Sequence, residues 1–455
     1  MIDILILLVL VAGIVLVTAR WKVSPVLALL GAALLGAFAY RIPVADIVTT
    51  ITTAFGGTLG NIGLVILFGT MIGVLLERSG AAIAMAEALI RLIGTRFPTL
   101  TMTVIGFFVS IPVFCDSAYV ILNSLRKAIT LRTGVSTLAT SVALMTGLYA
   151  THTLVPPTPG PLAAASNLGV ENLGLLIGIG LPVAGVAAFA GMLYANRFRR
   201  AMFTPVTEST EDAGAPEAEQ TYEELRAGYG RLPHALAAFA PILVPLLLIC
   251  LGSIAKLPGT PFGEGAAFEV IGFVGTPVIA LMLGLLVAAS LLRGNGRLDT
   301  FNSQIDEAIR VSAPILLITA SGAAFGAVLA ASPLMDVLGD SLSGLGIGLA
   351  VPFLVAAALK TAQGSSTVAM VTTSALVAPL LDSIGLGSTM GATLSVLAVG
   401  AGAMVVSHAN DSYFWVVSRL SGIPVATAYR SLTVATAIEG TAAFAAVYVL
   451  GLFLI

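Results

Sequence analysis

Four short polar clusters interrupt the apolar runs of this sequence, and each contains an ionisable side chain that could do chemistry. Asp116 follows Pro112 in IPVFCDSAY, and His152 lies in THTLVPPTPGP. Lys360 lies in LKTAQGSST, and Asp411 lies in SHANDSYFW. An ionised side chain within lipid is costly, so it needs a partner, a proton or a cation. The clusters are therefore candidate sites for an ion or a small polar ligand.

The two aspartates are the candidates for ion or proton coupling, because a carboxylate can hold either a proton or a cation. Asp116 is followed at once by Ser117, which is a candidate substrate contact. Asp411 stands among His and Asn side chains in the densest polar cluster of the second half. The alternative is structural: either aspartate could cap a half-helix.

The remaining candidates are substrate-binding groups. His152 can donate a hydrogen bond or carry a proton near physiological pH, or it is a structural histidine that holds a broken loop. Lys360 suits a carboxylate, or it extends to an interface or pairs with a buried acid. Hydroxyl, amide, imidazole and glycine positions complete the predicted lining, at Thr151, Gln363, Gly364, Ser365, Ser366, Thr367, His408 and Asn410.

The composition indicates which elements position these groups. The 455 residues are 58% hydrophobic and 10% charged, whereas a soluble domain has about 25% charged residues. Continuous apolar runs such as 23–40 and 432–455 approach the ~20 residues that cross a bilayer. The sequence therefore predicts an all-α polytopic membrane protein, with residues 2–18 as the first span. The continuous runs argue against a β-barrel.

The net charge of −2 and the lack of a basic tract argue against nucleic acid as a partner, and no motif indicates a metal or a cofactor.

Charge divides the chain into two halves. Residues 196–233 form an acidic linker that begins with Arg197, Arg199 and Arg200 directly after an apolar run. Basic residues beside spans favour the cytoplasm, so the linker is predicted to be cytoplasmic. It separates an N-terminal transmembrane half, 1–195, from a C-terminal half, 234–455. The protein is expected in the cell (inner) membrane.

The two halves are predicted to be inverted-topology repeats with about 10–12 spans in all. If basic residues face inside, 98–125 must leave and re-enter the cytoplasm, whereas 346–381 leaves and returns to the outside. Each half thus carries a re-entrant helical hairpin and a transmembrane helix broken by polar sequence. Gly69 and Gly322 coincide at an offset of 253, and His152 and His408 at 256. Irregular backbone at membrane depth is tolerated only inside protein or beside a wet cavity, as in transporters.

The chain resembles the gluconate permease (GntP) family of the ion transporter superfamily. The motifs that carry this resemblance are AFGGTLGNIG, THTLVPPTPGPLAA, LKTAQGSSTVA and SHANDSYFW, in that order, and it covers the chain apart from the linker. It implies a scaffold that forms a homodimer and a transport part that moves as an elevator. It also implies import of a sugar acid, a short hydroxy acid or D-serine, generally with protons.

The resulting hypothesis is a proton-coupled symporter of a gluconate-like or glycerate-like carboxylate, and not an enzyme. Cys115, Asp116 and Ser117 in VFCDSAY make the first hairpin tip more polar than in the gluconate-type pattern, in which an acidic residue lies in a more apolar setting. A smaller hydroxy acid or a polar amino acid is therefore equally compatible. Sodium coupling and D-serine transport remain alternatives within the family. A membrane-embedded enzyme and a channel are the alternatives of other classes.

Overall fold

The computed structural model describes residues 2–21, 23–201, 221–255, 265–292, 296–333 and 348–455. Within these ranges all regular structure is helical. Six helices there are long and apolar enough to cross a membrane, and a pair bent by 67° provides a seventh candidate span. The prediction of an all-α polytopic fold is confirmed. Residues 202–220 of the linker, 346–347 of the second hairpin, Lys256 and Arg293 lie outside the described residues, so the predicted domain division stays a prediction.

The first half forms nine described helices. They are α1 (Ile2–Ala19), α2 (Pro25–Ala39), α3 (Val44–Arg78), α4 (Ala81–Ile93), α5 (Pro98–Val109), α6 (Cys115–Thr133), α7 (Thr137–Leu154), α8 (Pro159–Asn167) and α9 (Leu173–Ala195). A short helix of the linker, α10 (Tyr222–Gly228), follows.

The second half repeats this plan. Its described helices are α11 (Ala235–Ala255), α12 (Ala266–Val274), α13 (Pro277–Ala289), α14 (Arg297–Ala330), α15 (Ala350–Gln363), α16 (Ser366–Val377), α17 (Thr389–Gly402), α18 (Ser412–Leu420), α19 (Val425–Ala428) and α20 (Val434–Leu454). A π-helical turn, Tyr429–Thr433, joins α19 to α20.

The two halves correspond in register and in packing. Helix starts recur 252 positions apart at Pro98 and Ala350, at Thr137 and Thr389, and at Leu173 and Val425. The helix α5 packs on α7 and α7 on α9, just as α15 packs on α17 and α17 on α20. Between the two hairpins, the described residues contain five candidate spans, counting the bent pair once. An odd number of crossings would place the hairpins on opposite faces, which agrees with the predicted inverted repeats; the inversion itself stays a prediction.

Two hairpins of short helices reach into the protein and return. In hairpin 1 (α5 and α6) the turn is 110–114, and in hairpin 2 (α15 and α16) it is Gly364-Ser365. The first arms have 12 and 14 residues, which is about 18 and 21 Å of helix. The hydrocarbon core is ~30 Å thick, so neither arm crosses it. Gly364 has a φ of +86°, and a Cβ there would overlap the carbonyl oxygen of Asn410, so the turn requires glycine.

The first broken helix differs in detail from the prediction. The polar sequence predicted a break from Thr151, but α7 continues through Leu154. Val155 is extended, with φ −123° and ψ 117°, because the residue before a proline avoids the helical region. The helix resumes at Pro159, in the first position that accepts proline. Break 1 is therefore 155–158, and His152 lies in the last turn of α7.

The second broken helix has a longer interruption. The helix α17 ends at Gly402 and α18 begins at Ser412, so break 2 comprises 403–411. The segment after each break packs on the hairpin of the other repeat: α8 contacts α16, and α18 contacts α6. Asn167 at the end of α8 donates to the Val371 carbonyl oxygen at 3.2 Å. The Tyr119 and Ser421 hydroxyls are 2.7 Å apart. This crossed packing brings hairpin turns and breaks from both halves together.

Candidate functional site

A buried ion pair joins hairpin 2 to break 2. Lys360 lies in the last turn of α15, with its side chain fully buried, and its Nζ donates to Asp411 Oδ2 at 2.5 Å. The same Nζ donates to the carbonyl oxygen of Gly364, and Ser407 Oγ also donates to Asp411 Oδ2. Asp411 caps α18, because its Oδ1 accepts from the Tyr413 amide at 3.0 Å. The pair therefore has the additional hydrogen bonds that a buried salt bridge requires.

Neutral polar groups surround this pair. Asn410 Nδ2 donates to the Thr361 carbonyl oxygen at 2.8 Å, and His408 Nε2 donates to the same oxygen at 2.9 Å. Among the described residues, Asn410 Oδ1 and both amide atoms of Gln363 are buried without a hydrogen-bond partner. Most buried polar groups in proteins are hydrogen-bonded. Unpartnered amides at the turn of hairpin 2 therefore indicate a place for a polar ligand.

Asp116 is the second carboxylate of the site, and its hydrogen bonds are weaker. It lies in the first turn of α6 but not at the cap position, which is Phe114. Its Oδ1 accepts from Ser412 Oγ at 3.3 Å, and the Cys115 thiol lies 3.7 Å from its Oδ2. Asp116 is half-buried, and it is within electrostatic range of Asp411. Hairpin 1 thus contributes a carboxylate that a proton, a cation or a ligand can still engage.

His152 and Tyr149 extend the site along one face of α7. The His152 ring centroid is 5.9 Å from that of Phe114, and its buried Nδ1 has no partner among the described residues. It lies within electrostatic range of both Asp411 and Lys360. Lys360 Nζ is 5.9 Å from the Tyr149 ring centroid, which is a cation–π distance.

Of the other predicted residues, three lie at the turn of hairpin 2 and two form hydrogen bonds away from the site. Ser365 caps α16 and is exposed, and Ser366 and Thr367 occupy the first turn of that helix beside the Gly364 turn. Two residues are directed elsewhere. The Thr151 hydroxyl donates to the Phe107 carbonyl oxygen at 3.0 Å, and the Ser117 hydroxyl hydrogen-bonds the Glu77 carboxylate.

The sequence analysis did not identify several groups that the structure brings to the site. These are Tyr149, Ser407, Ser412 and Tyr413. Tyr149 could have been predicted from helical spacing, because it precedes His152 by three positions and therefore lies on the same face of the helix. Tyr413 also lies beside the site, with its ring centroid 5.3 Å from that of Tyr149. Ser407 and Ser412 lie within SHANDSYFW, the motif singled out above, but their pairing with Asp411 and Asp116 depends on break 2 and on crossed packing.

Known proteins with similar sequences are permeases. A family model described as GntP family permease matches residues 2–453. A gluconate permease of Pseudomonas aeruginosa is 34% identical over 94% of this chain and 92% of its own length. A D-serine transporter of Escherichia coli K12 is 31% identical over 98% of this chain and 97% of its own length.

A solved structure shares the fold. The crystal structure of the Alcanivorax borkumensis YdaH transporter, described as having an unusual topology, matches with a TM-score of 0.67 and 15% identity. The match covers 95% of this chain and 99% of that one. The predicted family is thus confirmed, and the enzyme and channel alternatives are set aside, because the matched relatives are named permeases and transporters. The chain belongs to the GntP permease family and is a multi-pass membrane transporter.

Proposed function

We propose that this protein is a proton-coupled symporter of a small hydroxy or polyhydroxy carboxylate in the cell (inner) membrane. The observation that carries the proposal is a set of buried polar atoms around the Lys360–Asp411 pair that have no hydrogen-bond partner in the described part of the chain. They belong to Gln363, Asn410 and His152, and they come from both repeats. A gluconate permease and a D-serine transporter among the relatives support a substrate with one carboxylate and hydrogen-bonding groups.

The substrate carboxylate binds at the start of α16. The first backbone N–H groups of a helix lack internal partners and carry partial positive charge, which favours an anion. Ser366 and Thr367 supply such N–H groups beside an exposed Ser365. The Gln363 amide and the Asn410 oxygen then bind the substrate hydroxyls. Lys360 contributes positive potential, although its ammonium is held by Asp411.

Charge balance explains coupling to a proton. Lys360 neutralises Asp411, so an ionised Asp116 leaves the site with one net negative charge. A bound carboxylate would add a second negative charge in a region of low dielectric constant, where repulsion is strong. A proton on Asp116 removes that repulsion. Asp116 is therefore the coupling residue, and Asp411 stays ionised within its network.

Transport follows from movement of the two hairpins and the two broken helices as one body. Their crossed packing supports this grouping. On one side an apolar cavity that is rich in proline lies between this body and the helices α11 and α13. Pro112 and Pro157 line it on the moving side, and Pro241, Pro245 and Leu281 on the other. Apolar walls of this kind permit sliding because no polar pairing has to be broken. The fixed elements form the scaffold of a homodimer, as in the elevator mechanism.

D-serine is the second candidate substrate, and the weak hydrogen bonding of Asp116 favours it. Because the Asp116 oxygens accept from described side chains only at 3.3 and 3.7 Å, an ionised Asp116 can also pair with a substrate ammonium group. The two substrates make opposite demands on this residue. Gluconate requires it to be neutral, whereas D-serine requires it to be charged.

Uptake into liposomes that contain the purified protein tests these proposals. Accumulation of labelled gluconate under a pH gradient without sodium is expected for the wild type. The Asp116→Asn variant should bind and exchange gluconate but lose accumulation by at least tenfold. A strict requirement for sodium would overturn proton coupling. Accumulation of D-serine alone, with binding lost in Asp116→Asn, would overturn the hydroxy-acid assignment.

A further inference from the structure

A carboxylate that the site does not use lies fully buried in α20. Glu439 has no exposed surface, and among the described residues neither of its carboxyl oxygens has a hydrogen-bond partner. It belongs to the buried face of the helix, together with Thr436 and Gly440. Glutamate is almost never fully buried without a partner.

An ionised Glu439 would be very costly in this place. A lone buried carboxylate forfeits its hydration, and neutralisation by a proton or a cation is the usual outcome. The environment of Glu439 must therefore supply a positive charge or leave the side chain neutral.

Among the described residues, the helices packed against α20 supply no free positive side chain to Glu439. The helix α15 also packs there, with the Phe353 ring stacked on that of Phe444 at 4.1 Å, but its Lys360 is held by Asp411. The helix α17 has no titratable residue, and on α9 the only one is Tyr194, which donates to the Arg430 carbonyl oxygen. The π-helical turn carries Tyr429 and Arg430 two turns or more from Glu439. On α7 the titratable residues are Tyr149 and His152, and α18 adds Tyr413; the two tyrosines are within electrostatic range of Glu439. Tyrosines are neutral at physiological pH, so within the described part of the chain a proton is the remaining way to neutralise the Glu439 carboxylate.

The helix face that carries Glu439 packs directly behind break 2. The Ser407 amide donates to Thr436 Oγ1 at 3.0 Å. A Cβ at Gly440 would meet the Ala401 carbonyl oxygen at 2.6 Å, so the backbones of α20 and α17 are in close contact there. Since Ser407 also binds Asp411, the break separates Glu439 from the Lys360–Asp411 pair. Any rearrangement of break 2 changes the surroundings of both carboxylates.

We propose that Glu439 is a second proton-binding site of the carrier, and that break 2 controls its access to water. With break 2 packed as described, the carboxyl group keeps its proton. When residues 403–411 rearrange, the O–H bond ionises and the proton passes to water, which leaves the carboxylate solvated. This proposal rests on the proposed proton coupling, since it adds a second proton position to the same cycle.

Infrared spectroscopy of the purified protein reads the protonation state directly. At neutral pH the wild type should show the carbonyl stretch of a protonated carboxylic acid, and Glu439→Gln should lose that band. Glu269→Gln, at an exposed position of α12, is the matched control and should keep it. Retention of the whole band in Glu439→Gln would overturn the proposal. This readout requires no transport, so it stands even if uptake proves to be driven by sodium.

Transport assays then distinguish whether Glu439 carries a proton or has only a structural role. Glu439→Gln should exchange labelled gluconate across the membrane at a rate near that of the wild type, but its pH-driven accumulation should fall at least tenfold. Glu439→Asp, which retains an acid, should restore part of the accumulation. Wild-type accumulation in Glu439→Gln would contradict the proposal. If Glu439→Gln does not fold, the comparison of Glu439→Asp with wild type decides: an unchanged pH profile of accumulation would count against a proton role.

Discussion

The two hairpin turns are equivalent in the repeat, but their chemistry differs. At the turn of hairpin 2, Lys360 is held by Asp411 and by the Gly364 carbonyl oxygen, and Asp411 has further donors in Ser407 and the Tyr413 amide. At the turn of hairpin 1, Asp116 has one hydroxyl donor at 3.3 Å and a distant thiol. The charges at the turn of hairpin 2 are fully paired and hydrogen-bonded, whereas the carboxylate at the turn of hairpin 1 is only weakly hydrogen-bonded.

This difference shows how one architecture can divide two tasks. Hairpin 2 and break 2 form a fixed charge framework that holds the site together, because a buried pair is costly to separate. Hairpin 1 brings a carboxylate whose charge can change without breaking a network. The two repeats thus share one architecture, and the side chains at a few turn positions determine whether a turn holds a fixed charge pair or a carboxylate that can change its charge.

Removal of the lysine from the turn of hairpin 2 should have the largest effect on stability. In Lys360→Met the buried Asp411 keeps only neutral donors, so the free energy of unfolding should fall by about 3–5 kcal/mol. Asp116→Asn should cost less than about 1.5 kcal/mol, because it loses only weak hydrogen bonds. Thermal unfolding of the purified variants measures both.

The double variant Lys360→Met/Asp411→Asn is the control for this prediction. It removes both charges together and should regain a large part of the lost thermal stability. If Lys360→Met is as stable as Asp116→Asn, the two turns do not differ in the way described.

Loss of an unpartnered amide should affect binding rather than stability. Gln363→Ala removes a side chain that has no hydrogen bond among the described residues, so its thermal midpoint should stay near that of the wild type. The KM for the substrate should rise about tenfold, which corresponds to about 1.4 kcal/mol. Steady-state uptake measures this change.

Thr361→Ala is the matched control on the same hairpin. Its hydroxyl is exposed and donates to the Ala357 carbonyl oxygen at 2.8 Å, whereas His408 and Asn410 bind its backbone oxygen, which the substitution keeps. Its KM should stay within twofold of the wild-type value. An equal rise in both variants would mean that Gln363 has no specific role.

Local sequence signals were sufficient for the fold and for the positions of the breaks. Prolines and polar residues within apolar runs marked both hairpin turns and both broken helices, because such residues disturb helices wherever they occur. The predicted start of break 1 was too early at Thr151, since a proline acts on the residue just before it, which is Val155.

Pairings between distant residues could not be predicted in this way. Lys360 and Asp411 are 51 positions apart, and Asp116 and Ser412 are 296 apart and belong to different repeats. The partner of Lys360 therefore stayed open between a substrate carboxylate and a buried acid. Glu439 did give a signal that the sequence analysis missed, because it is an ionisable residue inside an apolar run; only tertiary packing shows that it is fully buried.

Hairpin 1 differs from hairpin 2 in a further contact, which should give the smallest effect. Far from its turn, α6 contacts the linker helix α10, which is bound to α4 through Glu87. Tyr222 Oη donates to Glu87 Oε1 at 2.6 Å, and Arg226 Nε donates to it at 2.8 Å. Burial raises the pKa of the Glu87 carboxyl, but these hydrogen bonds and the arginine charges outweigh burial and hold the pKa below its usual value.

The sign of the pH dependence follows from this lowered pKa. The contribution of Glu87 is fully present above the usual glutamate value of about 4.3 and is lost as the pH falls through the lower folded value. Hydrogen exchange of α10, corrected for intrinsic rates, should therefore be constant from neutral to mildly acidic pH and faster below it. Glu87→Gln should raise exchange about two- to fivefold at neutral pH and abolish the acid step, because exposed ion pairs contribute little. Equal exchange in the wild type and in Glu87→Gln at neutral pH would mean that other contacts hold α10 against hairpin 1.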